Sequence, residues 1–233
     1  KSMKIGIVGL GLIGGSIALK LKSLNHTIYG VTNNKINEKK AKERDIAHFV
    51  SCDLGILKEC ELIFLALPIK DLINPSKHLI EAISRDQIVT DVGSIKNPII
   101  NKWEQTHPLF IGSHPMAGTE QEGVNAGFED LFKNARWIIT PTLKSDLNSL
   151  NTLSKLITTM ECKVCQASPK EHDEAVSLIS HLPIFLASAL IETAHRESNK
   201  KLLNLTQEFA ASGFADTSRV GGGNPQLGLD LAM

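Results

Sequence analysis

The 233-residue chain has no excess of either charge, with 25 lysines and arginines against 25 aspartates and glutamates. Bulk charge therefore selects neither a nucleic acid nor an anionic membrane as partner. Cysteine is scarce. Cys52, Cys60, Cys162 and Cys165 fall at spacings that make no secreted disulfide framework. Cys162 and Cys165 form a CxxC, but in a strand-like setting and without a second pair, so both read as structural and no metal site is expected. No uncharged apolar run reaches the roughly 18 residues of a spanning helix, and no signal peptide precedes the first strand. A cytoplasmic chain is expected. Met3 reads as a natural start, and the uncapped apolar residues 227–233 read as a helix cut short, with a C-terminal portion expected to follow.

What is present is a regular alternation. Residues 4–8, 27–31, 62–67, 87–91, 110–112, 137–140 and 163–166 have strand character, with helical spacing between most of them. This predicts an α/β fold: an N-terminal Rossmann-type, doubly wound parallel sheet over residues 3–166, with ligand at the carboxyl ends of the strands. Residues 167–233 read as an all-helical domain. From Pro169 to Glu197 there is no glycine, and the apolar spacing predicts a helix of roughly 40 Å, bent at Pro183. Between Ile184 and Ile191 it is apolar nearly all round. So small a domain does not bury such a helix alone, so a homodimer through the helical domain is expected.

The turn Gly9-Leu10-Gly11-Leu12-Ile13-Gly14 follows a strand and opens a helix, the setting of a dinucleotide fingerprint. Gly9 permits the tight turn, Gly11 a close approach to pyrophosphate, and Gly14 close packing of helix on strand. Leu12, Ile13, Leu67 and Pro68 complete the expected cofactor contacts at the strand ends. NAD sites carry a ribose-binding acid about 20 residues further on. This chain has Thr32-Asn33-Asn34-Lys35 instead, with donors for a 2′-phosphate and no carboxylate to repel it. NADP is the expected cofactor.

His114 lies at a strand end, where an imidazole suits a general base removing a proton from an alcohol. Ser94, at the end of another strand, is placed to orient the alcohol or the ring. His26, His48, His78, His107, His172 and His195 show no constellation.

The stretches Gly9 to Gly15, Asp91-Val92-Gly93-Ser94-Ile95-Lys96, Gly112 to Glu120 (with the run Ser113-His114-Pro115-Met116-Ala117-Gly118), Ser180-His181-Leu182-Pro183 and Gly213 to Val220 resemble the prephenate and arogenate dehydrogenases of tyrosine biosynthesis. The run from Ser218 to Pro225 looks most like the cyanobacterial arogenate enzymes. The resemblance implies oxidative decarboxylation of a cyclohexadienyl alcohol to an aromatic ring. His114 would take the proton of the ring 4-hydroxyl, and Ser94 would hold that hydroxyl. Arg219 would bind the substrate carboxylate, with Lys96 the first alternative, and Glu120 would have a gating role; His181, a substrate-binding candidate, either faces the substrate cleft or packs beside Pro183. Ile184 stands where many prephenate enzymes have histidine, and Ala215 where relatives often have arginine. Both changes favour arogenate, whose amine offsets one carboxylate, over the dianion prephenate. The alternatives are an NAD(P)-dependent prephenate dehydrogenase and a Rossmann reductase of the β-hydroxyacid dehydrogenase type.

Overall fold

The computed structural model describes residues 1–119 and 121–222. Strands β1 (Lys4–Val8), β2 (Thr27–Val31), β3 (Phe49–Ser51), β4 (Leu62–Leu65), β5 (Ile88–Asp91), β6 (Phe110–Pro115), β7 (Arg136–Thr140) and β8 (Lys163–Gln166) make one sheet in the order β3-β2-β1-β4-β5-β6-β7-β8. Helices α1 (Leu12–Ser23), α2 (Lys35–Glu43), α3 (Ile69–Ile73), α4 (Lys77–Ala82), α5 (Asn97–Thr106) and α6 (Leu147–Thr159) join them. The chain order reverses between β1 and β4, the switch point at which doubly wound sheets bind ligands.

The sheet is not wholly parallel, as the alternation alone suggests. β7 runs antiparallel to β6, pairing Ser113 with Ile139 and His114 with Ile138. The reason lies in the connection: among the described residues between β6 and β7 the regular element is a 3₁₀ turn at Glu129–Phe132, with no crossover helix to return the chain to the starting edge. β3 escapes the sequence pattern because three residues, Phe49-Val50-Ser51, are too short to show an alternation.

Side-chain alternation sorts the apolar residues onto two faces. Ile5, Ile7, Leu62 and Phe64 pack on one side with Ile17 and Leu21 of α1 and Leu153 and Ile157 of α6. Val8, Ile63, Leu65 and Val89 pack on the other with Ile99 and Trp103 of α5. Local signals set the helix starts. Asn34 and Asp146 accept hydrogen bonds from the amides of Asn37 and Ser149 and so cap α2 and α6.

The chain divides into two compact units, Lys1–Asp173 and Glu174–Met233, and the boundary falls inside α7 (Pro169–Val176). The second unit contains α8 (Leu182–His195), α9 (Lys200–Phe209) and α10 (Ser212–Ser218). A five-residue π-helical turn, Ser177–His181, ends two residues before Pro183. Such a wide turn accommodates a proline that has no amide to donate and whose ring crowds the preceding carbonyls. Helix therefore continues from Pro169 to His195, 27 residues, long and apolar enough by length and composition to cross a membrane. The uncharged run within it, bounded by Glu174 and Glu192, is shorter and does not show this. Leu178, Ile179, Leu182, Phe185 and Leu186 are exposed along it.

Candidate active site

The glycine turn closes as the fingerprint requires. Gly9 has φ of +92°, and a Cβ there would lie 2.2 Å from the Ala66 carbonyl oxygen. At Gly14 a Cβ would meet the Gly9 carbonyl oxygen at 1.8 Å. Nothing stands within 4 Å of the position a Gly11 Cβ would take, at the open N-terminus of α1. Two glycines thus pack the turn shut while the third leaves a cradle that a pyrophosphate fits. Leu12 and Ile13 form the first turn of α1, and Leu67 lies beside Gly9. Pro68 caps α3, accepting from the Asp71 amide.

Beyond β2 the donors are partly committed. The Thr32 hydroxyl donates to the Asn34 carbonyl at 3.3 Å, and the Asn33 side-chain oxygen accepts from the Asn34 and Asn37 amides. Lys35 is not a free donor: its ammonium pairs with Glu38 at 2.8 Å. Glu38 is itself a carboxylate near this turn, but Lys35, Lys42 and the Cys52 amide occupy it and hold its carboxyl down at about 2. Thr32, Asn33 and Asn34 remain as the residues available to a ribose or its phosphate.

His114 lies within β6 rather than past its end, and it is buried. Its neighbour Ser113 faces the opposite side of the strand and locks β6 in place. The Ser113 hydroxyl donates to the Asp91 carbonyl at 2.8 Å and accepts from the Trp137 indole at 3.0 Å. The Asp91 carboxylate accepts from the amides of Gly93 and Ser113 and from the ammonium of Lys96, which also donates to the Ser113 carbonyl at 2.7 Å. Asp91 and Lys96 are fully buried. Burial pushes the Lys96 ammonium down, against the pull of Asp91. Lys96 is therefore a brace between β5 and β6, not the spare carboxylate partner its position suggests. The Ser94 hydroxyl oxygen is buried and has no hydrogen-bond partner among the described residues. A buried unsatisfied hydroxyl is costly unless a ligand completes it.

One connection is invisible in the sequence. His172, on α7, places Nε2 2.9 Å from Nδ1 of His114, and its Nδ1 lies 2.8 Å from Asp173. The two imidazoles and a carboxylate, 58 residues apart at the His114 link, are joined only by the fold. The histidine after Pro169 could have been noted beside its aspartate, but nothing local points it at His114. Other histidines are structural: His26 and His48 accept from the Met3 and Ile28 amides.

Glu120 lies outside the described residues. In the second unit, His181 is buried within the π-helical turn. Arg219 is exposed and opens a 3₁₀ turn that ends at Gly222. That turn rests on α8 so closely that a Cβ on Gly221 would lie 2.6 Å from backbone atoms of Ala187 and Ser188. The CxxC is inert in outlook. All four cysteines are free, and burial pushes the Cys162 thiol up to about 11.

A Rossmann-type nucleotide-binding unit with an imidazole at its ligand edge, followed by a helical unit, is the class of protein that fold and site define. The chain belongs to the prephenate dehydrogenase family: residues 16–166 match its nucleotide-binding domain and residues 168–233 its dimerization domain. It is 34% identical over 235 residues to the prephenate dehydrogenase of Bacillus subtilis, covering 97% of this chain and 62% of that protein. Among solved structures, the arogenate dehydrogenase of Synechocystis is 41% identical with a TM-score of 0.82, over 99% of this chain and 83% of that one. The prephenate dehydrogenase of Aquifex aeolicus, in complex with hydroxyphenyl propionate and NAD+, is 28% identical with a TM-score of 0.91, over 99% and 82%. The chain thus spans less than two thirds of the length of its Bacillus relative.

Proposed function

We propose that the protein catalyses the NADP-dependent oxidative decarboxylation of arogenate to tyrosine. The observation that carries this reading is His114, buried at the ligand edge of the sheet with Nδ1 engaged by His172, beside a Ser94 hydroxyl that lacks a partner. Nε2 of His114 is the nitrogen assigned to accept the proton of the substrate's ring hydroxyl, and the Ser94 hydroxyl orients that same group. When bound, the oxidised nicotinamide supplies the acceptor for the hydride leaving the ring carbon. Gly9, Gly11, Leu12, Ile13, Gly14, Leu67 and Pro68 hold the dinucleotide. Loss of carbon dioxide is driven by aromatisation and asks no residue for help. Arg219 binds a substrate carboxylate, for which a planar guanidinium fork is suited, and His181 and Glu120 contribute to substrate binding. Ile184, Ala215 and the identity to the Synechocystis enzyme support arogenate. The Bacillus and Aquifex relatives keep prephenate with NAD(P) as the second reading.

NADP is favoured because Thr32, Asn33 and Asn34 stand where an NAD site carries an acid. Thr32→Asp is expected to raise the KM for NADP by about tenfold or more, through repulsion of the 2′-phosphate, and to leave NAD the better cofactor. Steady-state kinetics with both dinucleotides checks this, and a variant that still prefers NADP would remove Thr32 from the ribose site.

The four free cysteines fit a reducing compartment, and the cytoplasm is the proposed location. The partner that covers the exposed apolar helix is a second copy of this chain, as the match to a dimerization domain supports. Sedimentation is expected to give a dimer, and Phe185→Glu, which puts a charge on that face, is expected to shift it toward monomer. A monomeric wild-type protein would contradict the assignment.

A further inference from the structure

Resting on the reading of His114 as the base, we propose that His172 and Asp173 are its positioning residues, fixing which nitrogen is basic and sharing the charge that proton abstraction creates. The argument starts at the carboxylate. Asp173 accepts from the amides of Lys96 at 2.7 Å and Asn97 at 2.8 Å, and from His172. Burial opposes its ionisation, but these hydrogen bonds outweigh it and hold the carboxyl below the usual range. An ionised carboxylate only accepts, so Nδ1 of His172 carries the proton that faces it. With its proton on Nδ1, His172 presents Nε2 as the acceptor for Nδ1–H of His114, 2.9 Å away. The direction of each hydrogen bond follows from the one before, and the chain ends by leaving the lone pair of His114 on Nε2.

His172 is 1% exposed, so neither ring nitrogen depends on water. Asp173 lies on the same helix, and the Lys96 ammonium, on the segment before α5, is turned away into its pair with Asp91 of β5. When Nε2 of His114 takes a proton, its Nδ1 proton can pass to Nε2 of His172. The positive charge then sits on His172, 2.8 Å from the Asp173 oxygen, and the proton taken from the substrate is the one the pair has gained. Asp173 also ties the start of α5 to α7, so its replacement would disturb more than the relay, and His172 is the residue to change.

The test joins a spectroscopic readout that needs no substrate to a kinetic one. Long-range ¹H–¹⁵N correlation of imidazole nitrogens in the intact protein is expected to show both His114 and His172 as Nδ1–H tautomers near neutral pH. In His172→Phe, loss of an acceptor that favours imidazolium should lower the His114 pKa, so the acid limb of kcat/KM moves to lower pH. kcat should fall by about 10- to 100-fold, with the KM values changed much less. His172→Gln can accept from His114 and donate to Asp173, so it should keep the His114 tautomer and recover most of kcat. An Nε2–H tautomer of His114 in the wild-type protein overturns the proposal whatever the substrate proves to be. So does a His172→Phe variant whose His114 titration and kcat match the wild type. Failure of the functional reading looks different: the tautomers stand as described, but neither arogenate nor prephenate is turned over.

Discussion

Replacing His114 by alanine is expected to lower kcat by about 10² to 10⁴, the usual contribution of a general base, while the affinity for NADP barely changes. The two effects separate because the dinucleotide turn and the base stand on different strands. Gly9 to Gly14 join β1 to α1, whereas His114 lies in β6, locked to its neighbours by Ser113, Asp91 and Lys96. Removing the ring leaves those braces intact, so the sheet edge should keep its shape. Rapid-mixing kinetics with a fluorescence titration of NADP checks both halves. A near-normal kcat would reduce His114 to a packing residue and leave the Ser94 hydroxyl without a reason to be bare.

Arg219→Ala is expected to act on substrate binding. Truncating one partner of a desolvated, hydrogen-bonded charge pair typically costs about 2–5 kcal/mol, so the KM should rise tens-fold or more with a smaller change in kcat. The carboxylate that Arg219 is assigned is not the centre that loses hydride, which is why the loss should fall on KM. Arg219→Lys should rescue only in part, because an ammonium lacks the bidentate fork. In the structure Arg219 opens a turn pressed onto α8 at Gly221, so its base is fixed while its head is exposed. An unchanged KM in the alanine variant would mean that the guanidinium serves another surface. Lys96, buried against Asp91, is not available to replace it.

Much of this was legible in the residues because it depends on local chemistry. The glycine turn needs a positive φ at Gly9 and no Cβ at Gly14, and both requirements appear as letters in the chain. The α/β alternation followed by a strandless helical stretch identified the fold class for the same reason. What was not legible depends on tertiary pairing. The antiparallel β7 follows from an irregular connection, and β3 from pairing with β2 that three residues do not announce. His172 looked solitary because its partner is on a strand far earlier in the chain. Lys96 looked like a free cation until the fold buried it against Asp91, whereas Lys35 meets Glu38 only three residues on along α2. A charge is read from sequence, but whether it is already neutralised is not.

The most direct test of the whole account is a matrix of initial rates for the full-length protein, with arogenate and prephenate each paired with NADP and NAD. Arogenate with NADP is expected to give the highest kcat/KM, by about tenfold or more over every other pair, which is a difference of about 1.4 kcal/mol in transition-state stabilisation. A highest kcat/KM for prephenate with NAD, or turnover of none of the four pairs, would contradict it.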